Sequence, residues 1–221
     1  MRSFDEIIAI SADRHGGAQA VEGKLSRPLP LAEIAEIPDD RWLAGMARAI
    51  FQAGFNWKVI ANKWPGFEEA FDGFDIATCA YRLPESYDAL TQDTRIVRNP
   101  AKIGAVQANA LFIDEVSDAH GSFGRWIADW PGDEYIGLVA ELGKRGSRLG
   151  GATAQYFLRS MGVDGFILSQ DVTARLIAEG VIEKAATSRS AQKAAQDAFN
   201  QWSSESGRSL TEISRVLALS I

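Results

Sequence analysis

Apolar residues recur at offsets of three and four along most of this chain, the spacing that places side chains on one face of a helix. Phe4, Ile7, Ile8 and Ile10 lie on or near one face of a first helix expected over residues 3–14, and Gly16 and Gly17 end it. Residues 18–38 carry Gly23, Pro28, Pro30 and Pro38 and read as a looped connection with a short turn at 31–37. Asp39 and Asp40 are N-cap candidates for a helix that carries Trp42, Leu43, Met46 and Ile50 on one stripe and stops at Gly54. Helix is expected to resume over 55–64 and to close at Pro65-Gly66, with Phe67, Phe71 and Phe74 in the core.

Short helices follow Asp75 and Pro84, and residues 91–93 break the pattern. From Pro100, a good first-turn residue, a helix is expected to reach about Val116 with Ile103, Val106, Ala110, Leu111 and Ile113 buried. Ser122 caps a short aromatic helix containing Phe123, Trp126 and Ile127, which ends at Trp130-Pro131-Gly132. A helix ending in Lys144 and Arg145 breaks at Gly146, and the turn Ser147-Arg148-Leu149-Gly150-Gly151 launches the next. That next helix carries Ala154, Phe157, Leu158 and Met161 on one face, Gly162 and Gly165 break it, and a further segment opens with Asp171. In the tail, Ala195, Phe199 and Trp202 form a stripe, and Ser209 with Glu212 makes a capping box for a last helix. No strand pattern and no internal repeat occurs, so the fold class is all-α. Three segments are expected: 1–38 as an N-terminal helix and connection, 39–180 as the core, and 181–221 as a helical extension packed on it.

Composition narrows the class. The 221 residues are 46% hydrophobic, enough for a sizeable core. No apolar run approaches the ~18–20 residues of a membrane span, and acidic residues interrupt the N-terminal apolar stretch, so neither a membrane segment nor a signal peptide is expected. The single cysteine, Cys79, excludes an intrachain disulfide and fits a reducing cytoplasm. Twenty-three Lys and Arg against 29 Asp and Glu leave a net charge of −6, which argues against nucleic-acid binding over the whole surface. A local site remains possible where backbone amides and a few cations converge.

The segment 141–177 has that character. Glycines in the turn leave backbone N–H groups unobstructed, and the following helix opens with unpaired donors and a positive dipole end. With Lys144, Arg145 and Arg148 around it, the anion expected there is a nucleic-acid phosphate. A second basic cluster, Arg95, Arg98 and Lys102, reads equally as a phosphate-contacting edge or as a solvated helix start with salt bridges.

The run Gly-Ser-Arg-Leu-Gly-Gly-Ala-Thr-Ala from Gly146 resembles the helix-hairpin-helix element of the base-excision DNA glycosylases, and the 3-methyladenine DNA glycosylase I branch in particular. Gly146, Arg148, Gly151 and Thr153 fit the hairpin pattern. Two further stretches agree in order: Gln52-Ala53-Gly54-Phe55-Asn56-Trp57, and Arg95 to Ile103 followed by Asn109-Ala110. The resemblance spans roughly residues 43–177. It implies two helical lobes with a cleft between them and a monofunctional enzyme that flips an alkylated purine, such as 3-methyladenine, out of duplex DNA. Lys144, Arg145, Gly146, Arg148, Gly150, Gly151 and Thr153 would then hold the DNA, and Trp57, with Phe55 and Asn56 beside it, would line the base pocket.

An N3-alkylated adenine is a cation, and an indole face attracts it by ~0.5–2 kcal/mol. The resemblance also makes Asp171, which stands just after the hairpin's second helix, a candidate to stabilise positive charge on the sugar; the plain alternative is a helix N-cap. Lyases of the superfamily carry a hairpin lysine where this chain has Ala152, so strand nicking is not expected. Two departures stand out. Ala49 replaces the branch's base-recognising carboxylate, and the branch's zinc site of two cysteines and two histidines has no counterpart, since His15, His120 and Cys79 are isolated. No cofactor is therefore expected. The rival expectation is a non-catalytic DNA-binding module on the same scaffold, which Ala49 and the acidic balance favour.

Overall fold

The computed structural model describes residues 1–221, and every regular element in it is helical. In chain order these are α1 (Phe4–His15), α2 (Ala18–Glu22), α3 (Leu31–Ala35), α4 (Asp39–Gln52), α5 (Trp57–Ala70), α6 (Leu83–Gln92), α7 (Pro100–His120), α8 (Phe123–Ala128), α9 (Tyr135–Arg145), α10 (Ala152–Ser160), α11 (Gln170–Ala178), α12 (Arg189–Ser206) and α13 (Leu210–Leu219). A π-helical turn, Thr78–Arg82, precedes α6. Seven of the thirteen helix starts follow from local sequence: Ser3, Asn56, Asn99, Ser122, Ser169, Ser188 and Ser209 each accept a backbone N–H from their own first turn. No helix is long and apolar enough to cross a membrane.

The chain divides into two compact units. One comprises Met1–Leu29, Pro131–Gly137 and Gly162–Ile221; the other comprises Pro30–Trp130 and Leu138–Met161.

The first unit closes around Phe166 and Phe199, stacked at 4.0 Å, with Tyr135 and Trp202 against them. An ion pair at the N-terminal end and hydrogen bonds at the C-terminal end fasten the chain ends to α11. Arg2 reaches Glu179 through its backbone N–H and its guanidinium, both at 2.8 Å. Arg175 donates to Glu179 at 3.1 Å and to the hydroxyl of Ser220 at 2.7 Å, and also engages the Ser220 carbonyl. Burial pushes the Glu179 carboxyl up, but the hydrogen bonds from Arg2 and Arg175 outweigh it and hold the group below its usual range. A depressed carboxylate contributes stability above its unfolded pKa and loses it as pH falls through the folded value. Glu179→Gln is accordingly expected to cost ~1–2 kcal/mol at neutral pH. The gap to wild type should shrink as thermal melts are taken below the ordinary carboxylate range; a gap unchanged down to that pH would show the charge to be irrelevant.

The second unit is organised on α4, whose Trp42, Leu43, Met46 and Ile50 are all buried. Trp42 meets Phe123 and Phe157 at 5.6 and 5.8 Å. Burying side chains of this size stabilises by ~1.5–3 kcal/mol each. Trp64, Phe67, Phe71 and Phe74 form a stacked series beside it.

Four local expectations are corrected here. Asp39 and Asp40 are not caps, because Pro38 occupies that position and α4 begins at Asp39. The Asp39 carboxylate instead accepts from the Ser117 hydroxyl at 2.5 Å and from the Phe123 N–H at 2.9 Å, so it secures the start of α8. Helix α5 does not close at Pro65-Gly66 but runs through Pro65 to Ala70. The aromatic series spanning Trp64 and Phe67 offsets the hydrogen bond that proline forfeits. On α7, which continues past Val116 to His120, Leu111 is exposed and Phe112 takes the buried position, packed on Phe123 and Trp126. The one thiol, Cys79, is buried, and desolvation, aided by Asp75 and Asp72, pushes it up to about 12, which makes it inert near neutrality.

Candidate nucleic-acid and base-binding site

After α4 the chain turns through Ala53, Gly54 and Phe55 and starts again as α5. The Asn56 side-chain oxygen accepts the Lys58 N–H at 2.9 Å, so this residue acts as the helix cap. Trp57 is the first residue of α5 and is left 52% exposed, with Phe55 also exposed beside it. The turn is held from below by Lys102 on α7, whose ammonium donates to the carbonyls of Ala53 at 2.8 Å and Phe51 at 3.2 Å. Those carbonyls end α4 and have no intrahelical donors, so the lysine completes the helix terminus. Burial, and then the nearby Arg148, lowers the Lys102 pKa. Of the second basic cluster, Lys102 is thus internal in its use. Arg95 is paired with Asp93 at 2.7 Å and Glu69 at 3.2 Å, and Arg98 stands exposed.

The hairpin lies between α9 and α10. Gly146 is required by close approach: a Cβ there would stand 2.7 Å from the Leu142 carbonyl and 2.7 Å from the Leu149 side chain. Gly151 is required by backbone conformation, with φ +58° and ψ −132° at the cap of α10. No side chain caps α10, so its first N–H groups are left for another acceptor. Asn109, fully buried on α7, binds the hairpin at both atoms of its amide: its oxygen accepts the Ser147 N–H at 2.7 Å and its nitrogen donates to the Ser147 carbonyl at 3.1 Å. Arg148, at φ +60°, donates from Nε to the Ala101 carbonyl at 3.2 Å. Arg145 pairs with Glu115 at 3.3 Å and lies over the Phe112 ring at 4.7 Å. It is neutralised within the fold, and Lys144 and Arg148 remain the exposed cations of the hairpin.

Asn109→Leu is expected to leave the Ser147 backbone groups without partners at a cost of ~1–3 kcal/mol. Hydrogen exchange should then show the hairpin amides losing protection before those of α4. Uniform loss of protection would point to a general core defect instead.

Helix α10 brings a further group into play. Ala49, Gln52, Ala53, Gly54 and Trp57 from one side, with Ala152, Thr153 and Tyr156 of α10 from the other, line a hollow of about 290 Å³. Trp57 and Tyr156 meet edge to face with ring centres 5.5 Å apart. The indole expected to line a base pocket therefore borders the same hollow as Thr153 of the hairpin. Tyr156, 39% exposed, was invisible to periodicity because it falls off the buried face of α10.

Asp171 is in the first unit, on the second residue of α11. It is not the N-cap: Ser169 has that place, accepting the Val172 N–H at 3.2 Å. The Asp171 carboxylate is exposed and makes no hydrogen bond or ion pair. No three His, Cys, Asp or Glu side chains gather as metal ligands would.

Residues 38–137 match the family model of methyladenine glycosylases, a span that includes the 52–57 turn and Asn109 but ends before the hairpin. Among solved structures, 3-methyladenine DNA glycosylase I from Staphylococcus aureus is 23% identical, with 62% of this chain and 80% of that one covered and a TM-score of 0.52. The Methanocaldococcus jannaschii 8-oxoguanine DNA glycosylase is 12% identical but aligns over 96% of this chain and 89% of its own, with a TM-score of 0.53. The chain thus shares the fold of these DNA glycosylases, and its residues 38–137 match the methyladenine glycosylase family model.

Proposed function

We propose that this protein is a monofunctional base-excision N-glycosylase that removes an alkylated purine, in the first place 3-methyladenine, from duplex DNA. The observation that carries the reading is the hollow bordered by Trp57 and by the first turn of α10. A phosphate seated on the hairpin amides beside Arg148 and Lys144 would present its nucleotide to an opening of base size, since ~300 Å³ is the lower end of ligand pockets. The partner is double-stranded DNA, and flipping costs least at a damaged base. Phe55, exposed next to Trp57, would contact the extruded base or its neighbours.

The chemistry needs little from the protein. The C1′–N bond breaks with its electron pair passing to a base that already carries positive charge, so the base leaves neutral. Water adds to C1′ and loses a proton, leaving an abasic site. The Asp171 carboxylate would stabilise the charge that grows on the sugar, a role open to it because Ser169 caps α11 in its place. Ala152 supplies no amine, so no Schiff base forms and the strand is not cut. A cytoplasmic setting belongs to the same reading and suits a single unpaired cysteine.

Duplex DNA treated with a methylating agent, incubated with the protein and analysed for free bases, tests this directly; 3-methyladenine should appear and intact strands should persist until alkali is added. The second reading, a DNA-binding module without base chemistry, draws on Ala49, which puts a methyl group rather than a carboxylate in the wall of the hollow. Salt-dependent DNA binding with no base released would establish it.

A further inference from the structure

We infer that the hollow beside Trp57 selects for positive charge on the base and not for adenine over guanine, and that Tyr156 is a base-contacting residue. The inference deepens the glycosylase reading and rests on it. No carboxylate or cationic side chain lines the hollow; its polar side chains are Gln52, Thr153 and Tyr156. Each of these both donates and accepts. A glutamine amide presents one of each, and a hydroxyl rotates to suit its partner. Adenine and guanine differ at C6 by a donor against an acceptor. Rejecting one of them strongly requires a buried polar group that the wrong base leaves unpaired. A lining of ambivalent groups imposes no such penalty.

What the hollow does offer is two aromatic side chains meeting nearly at right angles, 5.5 Å apart, both substantially exposed. A planar cation laid on the Trp57 face is attracted by that π system and would lie beside Tyr156, whose ring adds attraction where it presents its face. A neutral purine of the same shape gains stacking alone. Tyr156 projects from the second turn of α10, whose first turn carries Thr153, so phosphate capture and base contact are rigidly coupled through one short helix.

The test uses duplexes carrying a single 3-methyladenine or a single 3-methylguanine, which share the alkyl position and differ at C6, N1 and C2, and a third carrying hypoxanthine, which is neutral. Single-turnover release of the two methylated bases should agree within about tenfold, with hypoxanthine released at least about a hundredfold more slowly. Tyr156→Phe should keep this pattern, whereas Tyr156→Leu should lower release of both cationic bases by about tenfold. In a binding arm free of chemistry, ligand-observed NMR should detect the 9-methylated cations of both lesions and not neutral 9-methyladenine. Release or binding of one methylated base over the other by a hundredfold or more would overturn the inference, as would full activity in Tyr156→Leu. Either result leaves the glycosylase reading standing, because a base has still been excised. Absence of release from every duplex sinks that reading separately, and the binding arm still decides whether the hollow reads charge.

Discussion

Trp57→Ala is expected to lower single-turnover release of 3-methyladenine by about 10- to 5,000-fold, the combined worth of ~1–3 kcal/mol of stacking and ~0.5–2 kcal/mol of cation–π attraction. The ring is half exposed at the first position of α5, capped independently by Asn56, so removing it should leave the melting temperature nearly unchanged. Trp57→Phe should fall between wild type and alanine, because phenylalanine keeps a π face of smaller extent. Affinity for an abasic-site duplex depends on the hairpin and should stay within a few-fold. A Trp57→Ala protein that melts normally and releases base at the wild-type rate would remove Trp57 from the pocket, and with it the observation on which the function rests.

The second large effect is expected at Asp171. Asp171→Asn preserves size and helix position but cannot carry negative charge, and loss of charge stabilisation at a reacting centre costs about 10²–10³-fold in rate. Two other carboxylates of the same unit are already engaged: Asp164 accepts the N–H groups of Leu210 and Thr211 at 3.2 and 2.8 Å, and Glu179 is held by Arg2 and Arg175. With Ser169 capping α11, the asparagine variant should lose no more than ~0.3–1 kcal/mol of helix-dipole interaction. The expected signature is a slow chemical step with unaltered DNA affinity and a melting temperature lowered by no more than about 4 °C. A rate within threefold of wild type would assign Asp171 to the dipole of α11 alone and leave bond cleavage to the leaving-group charge and water.

Local sequence determined the helices and most of their ends. The caps at Ser122 and Ser209 were readable because a cap is a hydrogen bond made within three residues of itself. The hairpin was readable for a similar reason: Gly146 and Gly151 answer to backbone demands a few residues away. Trp57 was legible only through its company in the 52–57 run, since periodicity alone assigns a helical tryptophan to the core.

Tertiary structure decided how those pieces are used. Asp39 accepts the Phe123 N–H at the start of α8, 84 residues on, instead of capping its own helix; Lys102 closes the end of α4 across 49 and 51 residues; Asn109 grips Ser147 across 38. Tyr156 joins Trp57 only because α10 packs near the end of α4. No window of sequence contains both partners of such a contact, and a polar side chain satisfies whichever buried group folding brings within about 3 Å. The chain alone therefore specified an all-helical scaffold with a glycine-bearing hairpin between α9 and α10. The hollow beside Trp57, its uncharged lining and the exposure of Lys144 and Arg148 followed from packing at distances the sequence does not encode locally.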